Sequence, residues 1–178
     1  MRRKQLDKII TSAGILVMLV LIAGGALAAW GERFATSQVQ SQLVQEKIFF
    51  PKAGTPALDP KEFPGLQQYA GTQVDTGDKA KAYADEFIWV HMMKASGNKT
   101  YAEVSTLASA TVPADPKLAA LKSTLFQGDM LRSSLLTAYA FSRFGLIAQW
   151  ASVAFMAGAA IMALLVMLGI AHMASNKR

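Results

Sequence analysis

The chain has 178 residues, 52% hydrophobic and only 17% charged, a balance typical of membrane proteins and not of disordered chains. Its +6 charge does not make a nucleic-acid surface, because residues 31–144 carry 12 basic and 11 acidic residues and leave no basic patch there. The absence of cysteine excludes disulfides, thiolate metal sites and a lipid-modified cysteine.

The excess charge stands on two short tails, Arg2, Arg3, Lys4 and Lys8 at one end and Lys177 and Arg178 at the other. Each tail flanks an apolar run. From Ile9 to Gly31 there are 23 residues without a charge, with Trp30 at the end where an amphipathic ring suits a membrane interface. A bilayer core of about 30 Å takes about 20 helical residues, so this run is long enough to cross one. A basic head, an apolar core and the triplet Ala26-Leu27-Ala28 also fit a cleaved signal peptide. The length of the run favours a retained anchor, the first transmembrane helix, 9–31, after a cytoplasmic tail, 1–8.

Residues 32–143 are expected to form an extracytoplasmic helical domain. Glu32 to Phe50 reads as a helix continuing from the membrane, with Val39, Leu43 and Phe50 near a helical period and glutamines on the other faces. A thin apolar stripe of this kind calls for a partner helix. Residues 51–65, PKAGTPALDPKEFPG, hold four prolines and two glycines, which excludes a helix or a central strand. With Phe49, Phe50 and Phe63 among the prolines, this is either an ordered loop over the domain's own apolar surface or a strap that contacts a partner. The first is favoured, since loops normally run over their own domain.

Asp78 to Ser96 is predicted as a helix, with Tyr83, Phe87 and His91 on its apolar face and Gly97 as its stop. His91 on that face reads as a satisfied core histidine. Thr100 and Glu103 form a capping-box pattern opening a short helix to about Ser109. Asp115 before Pro116 marks the start of the last helix, in which Gly128-Asp129 is a possible interruption. Tyr139 and Arg143, with Trp30 and Trp150, are expected interface anchors. From Phe144 to Asn176 there is a second charge-free run of 33 residues, the second transmembrane helix, 144–174, followed by a cytoplasmic tail, 175–178. No proline lies between Met130 and Met173, so one continuous helix is predicted into the membrane. Small residues four apart, Gly24 and Ala28, Gly25 and Ala29, Ala154 and Gly158, permit close helix packing.

The fold class expected is therefore all-α: two transmembrane helices flanking a small helical extracytoplasmic domain. Basic tails are held on the cytoplasmic side, which puts both termini inside a bacterial cell membrane and the domain outside.

The chemistry is sparse. There is no GxGxxG, no GxxxxGK[ST] and no GxSxG. His91 and His172 are assigned to opposite sides of the membrane, which disfavours a zinc site. No enzyme, metal or cofactor is expected. Asn98-Lys99-Thr100 matches a glycosylation acceptor, but capping already accounts for Thr100. The expected role is contact: an accessory or scaffold subunit, with membrane lipid, other subunits or a second copy as partners and no nucleic acid. The alternative is a binding module for a small apolar or peptide ligand. Candidate contacts for either are Phe49, Phe50, Phe63, Tyr83, Phe87, His91 and Tyr101.

The stretches KIFFPKAGTPAL (47–58), EFPGLQQYAG (62–71), AKAYADEFI (80–88) and LRSSLLTAYAFSRFG (131–145) resemble those of small two-span membrane proteins of actinobacteria. The resemblance implies a Gram-positive envelope and an outward helical domain. It brings no catalytic signature.

Overall fold

A computed structural model of the chain describes residues 3–113 and 115–175. The basic side chains of both tails, Arg2, Arg3, Lys4, Lys177 and Arg178, on which the orientation rests, lie outside the described residues. Among the described residues the fold is all-helical, and the only extended pairing is an isolated antiparallel bridge between Phe49 and Gln73. The chain divides into two compact units, Met1–Ala35 with Phe144–Arg178, and Thr36–Arg143.

In the first unit, α1 (Arg3–Glu46) contributes its first part and α5 (Pro116–Ser175) its last. Both helices are long and apolar enough to cross a membrane, and only 17% and 6% of their apolar windows are buried within the protein. They pair antiparallel through small residues. A methyl group at Gly14 would lie 3.0 Å from Val166, one at Gly25 3.0 Å from Met156, and one at Gly169 3.0 Å from Thr11. Ser152 Oγ donates to the Gly25 carbonyl at 3.0 Å, a bond between the two helices. Of the small-residue pairs in the sequence, Gly24, Gly25, Ala28 and Ala29 are sheltered and Gly158 packs on Leu21, while Ala154 is exposed.

The second unit has a core of large side chains: Leu43, Phe50, Leu58, Phe63, Leu66, Val74, Ile88, Met92, Leu125 and Leu135, among others. The stalk part of α1 supplies Val39 and Leu43. It stops at Glu46, four residues short of the expected end, because Lys47 turns into the left-handed region (φ 52°). The chain then runs extended, and Phe50 N–H donates to Thr72 O and Val74 N–H to Ile48 O, each at 2.9 Å.

The proline-rich stretch is ordered. Pro56 and Pro64 each open a 3₁₀ turn, Pro56–Leu58 and Pro64–Tyr69, positions where a missing N–H costs little. Gln67 Nε2 ties the stretch together by donating to the carbonyls of Leu58 and Phe63. It buries Leu58, Phe63 and Leu66 almost completely, each burial stabilising by about 1.5–3 kcal/mol. These residues form part of the unit's own core, the favoured of the two readings of this loop.

The next helix starts at Gly77, one residue before the expected start, because Thr76 Oγ1 caps it from the Lys79 N–H. It runs as α2 (Gly77–Ala82), a π-helical segment (Tyr83–Ile88) and α3 (Trp89–Ser96) without a break. The π register shows in the Trp89 N–H, which reaches back five residues to Ala84 O. Its cause is visible in the core spacing. Ala80, Ala84, Ile88, Met92 and Ser96 are all buried and fall every fourth residue. In an α-helix each four-residue step overshoots a turn by about 40°. A wider π turn takes up that drift and keeps the stripe on one side. Gly97, at φ +63°, ends α3 as expected.

Thr100 and Glu103 form the full capping box of α4 (Tyr101–Ala110). Asp115 Oδ1 accepts from Lys117 N–H at the start of α5. Gly128-Asp129 does not interrupt α5, which is unbroken through Arg143 and Phe144. The glycine is instead a packing site: a methyl group there would lie 2.6 Å from Met92 Sδ.

Candidate functional site

Five of the candidate contact residues meet in one aromatic ladder of the second unit. Phe50 stacks on Tyr69 (5.3 Å between centroids) and meets Tyr83 edge-on (5.1 Å). Tyr83 then meets Phe87 (4.8 Å), and Phe87 meets His91 (4.4 Å). Phe63 closes the end, packing on Phe87 at 5.9 Å and lying parallel to His91 at 5.2 Å. Tyr83, Phe87 and His91 are one turn apart along the π segment and α3, which aligns their rings. Each well-placed ring pair adds about 0.5–1.5 kcal/mol beyond its buried area.

His91 is exposed, which corrects its assignment to the core. Its helix is amphipathic with a stripe narrower than the periodicity suggested, and the ring lies over Phe63 at the edge. It is nonetheless satisfied, with Nδ1 donating to the Phe87 carbonyl at 2.8 Å. Burial pushes the Tyr83 hydroxyl's pKa up.

The other two candidates lie elsewhere. Phe49 is exposed at the bridge to Gln73. Tyr101 packs on Phe126 of α5 at 5.6 Å, away from the ladder rings. Among the expected anchors, Trp30 is exposed and stacks on Phe34 at 5.6 Å, and Trp150 is exposed on α5. Tyr139 and Arg143 belong to a polar seam.

That seam runs where α2, the π segment and α3 lie antiparallel along α5. Gly77 faces Ser142, and a methyl group there would lie 2.0 Å from Ser142 Oγ. Asp78 accepts from Arg143 at 3.1 Å. The Lys81 ammonium stands 5.5 Å from the Tyr139 ring centroid, and the Arg143 guanidinium 4.9 Å from it. Asp85 takes a bond from Lys81 and another from Arg132 Nη2 at 2.8 Å. Arg132 also covers the Trp89 ring at 4.8 Å. Its buried Nε has no hydrogen-bond partner among the described residues. Burial raises the Asp85 pKa, but the bonds from Lys81 and Arg132 outweigh it and hold the carboxyl below its ordinary value. The bond to Asp85 in turn raises Lys81.

Sequence reasoning did not single out Tyr69, Lys81, Trp89 or Arg132. Trp89 and Lys81 carry a weak signal, standing one turn from Asp85 on either side. Tyr69 and Arg132 carry none, because they arrive from other segments. Among the described residues no three His, Asp or Glu side chains gather where they could hold a metal ion. No family model, curated protein or solved structure matches the chain.

Proposed function

We propose that this is a non-catalytic integral membrane protein of the bacterial cell envelope, an accessory or scaffold subunit that acts by contact with another subunit or a second copy. The observation that carries the reading is the surface of the second unit. Phe126 and Met130, one turn apart on α5, are 49% and 56% exposed, with Tyr101 packed beside Phe126. Adjacent exposed apolar groups of this size on one helix face form a patch that a partner can cover. The ladder rings support the same reading, since they spend their faces on one another. The alternative, capture of a small apolar or peptide ligand, is favoured by one observation, the exposed His91 ring lying over Phe63.

A photo-crosslinking residue at Phe126 of the full-length protein in its native membrane tests the contact reading. Adducts to a polypeptide, whether the protein itself or another, are expected to exceed those from Thr124, exposed on the other side of the helix. Equal yields from the two positions would sink the proposal. The proposed orientation has both termini inside. Because the chain has no cysteine, single cysteines at Lys4, Ser109 and Lys177 can be compared on intact cells, and an impermeant thiol reagent is expected to label only the one at Ser109.

A further inference from the structure

We propose that Lys81 and Arg143, gathered on the Tyr139 ring, form a seat for the phosphate of an anionic phospholipid. The proposal rests on reading the run from Phe144 as a membrane span. Arg143 is the last charged residue before that 33-residue run. Arginine and an aromatic ring at this point are ordinary for an interface. Lys81 is not: it is 62 positions earlier in the sequence and is brought to the same ring by the packing of α2 on α5.

Two cations on one ring repel each other unless an anion lies between or beside them. Asp78 and Asp85 do part of this. Arg132 is committed to Asp85 and Trp89, so the seam holds three cations against two carboxylates and keeps a surplus positive charge. The Lys81 and Arg143 side chains are each 46% exposed; Lys81 shares Asp85 with Arg132, and its ammonium keeps donors for a further acceptor. The Asp78–Arg143 pair is a single contact with Asp78 67% exposed, and such surface pairs hold weakly. A lipid phosphate, with more acceptor oxygens, can displace Asp78 and bridge guanidinium and ammonium. Juxtamembrane cations attract anionic lipid in this way.

The test uses the full-length protein in nanodiscs or lipid-detergent micelles, with phosphatidylglycerol and phosphatidylcholine offered in equal amounts and retained lipid counted by native mass spectrometry. The basic tails also attract anionic lipid, so the differences between variants decide. Lys81→Gln is expected to lower phosphatidylglycerol retention about five-fold. Asp78→Asn removes the competing carboxylate and is expected to raise it. Phosphatidylcholine retention is expected to change with neither. Retention blind to Lys81→Gln, or lowered by Asp78→Asn, overturns the seat. Extraction of the protein from membranes by alkaline carbonate would overturn the span reading and the seat with it. A protein that resists extraction but shows no variant effect loses the seat alone.

Discussion

The two units are held together by opposite means. In the first, glycines bring helix backbones close, and side chains such as Val166, Met156 and Thr11 lie against them. In the second, rings and branched side chains fill a core, and ion pairs line its edge. On the proposed membrane reading, the difference follows from the surroundings of each unit. Between helices in lipid, burying a leucine gains nothing over leaving it in acyl chains, so close approach and a few hydrogen bonds decide. In water, each large side chain removed from solvent stabilises.

Phe50 joins two rings and is almost fully enclosed. Phe50→Ala is expected to destabilise the second unit by about 3–5 kcal/mol, read as loss of the near-ultraviolet signal in thermal melts of the full-length protein. A loss under about 1 kcal/mol would mean that the ladder is not the centre of this core. Gly77→Ala comes next, at about 1–3 kcal/mol, because the new methyl group overlaps Ser142. The double variant with Ser142→Gly is expected to recover most of this, since the nearest remaining atom would be Tyr139 Cα at 3.4 Å. Failure to recover would place the cost elsewhere.

In the first unit, Gly25→Ile is expected to push the helices apart at Met156. The reporter is disulfide formation between cysteines at Leu21 and Gly158, which should fall while the melt of the second unit stays unchanged. Unchanged crosslinking would refute the glycine contact. The smallest expected effect is electrostatic. The Asp85 carboxyl is held below its ordinary value, so its contribution to stability is present above the unfolded value of about 4 and is lost as pH falls from about 5 through the folded value. Asp85→Asn is expected to flatten that part of the acid profile. An unaltered profile would show that Lys81 and Arg132 do not act through this carboxylate.

What the sequence made legible was local. Thr100 with Glu103, Asp115 with Pro116, and Gly97 each act within one turn, and each stands where its pattern placed it. The end of α1 was not legible, since Lys47 enters the left-handed region without being a glycine. Gly128 reads as a possible interruption in the sequence because its partner, Met92, is remote along the chain. The ladder was half visible: Tyr83, Phe87 and His91 are one turn apart, while Phe50, Phe63 and Tyr69 come from the proline-rich side. Lys81 had only its one-turn spacing from Asp85, and Arg132 had no local pattern to set it apart from solvated charges.

The π segment makes chain length itself a structural variable. Its register holds one residue more than an α-helix would need between Gly77 and Met92, and both ends of that interval dock on α5, at Ser142 and at Gly128. Deleting one residue between Tyr83 and Ile88 would let the segment relax to an α-helix with Gly77 and Met92 still facing α5, because the π turn holds the residue removed. A further deletion, or an insertion, would turn one end by about 100° relative to the other, and the two could then no longer both face α5. The helix should therefore tolerate loss of that one residue and resist other changes of length, while the exposed turn around Gly54 in the neighbouring loop has room for them.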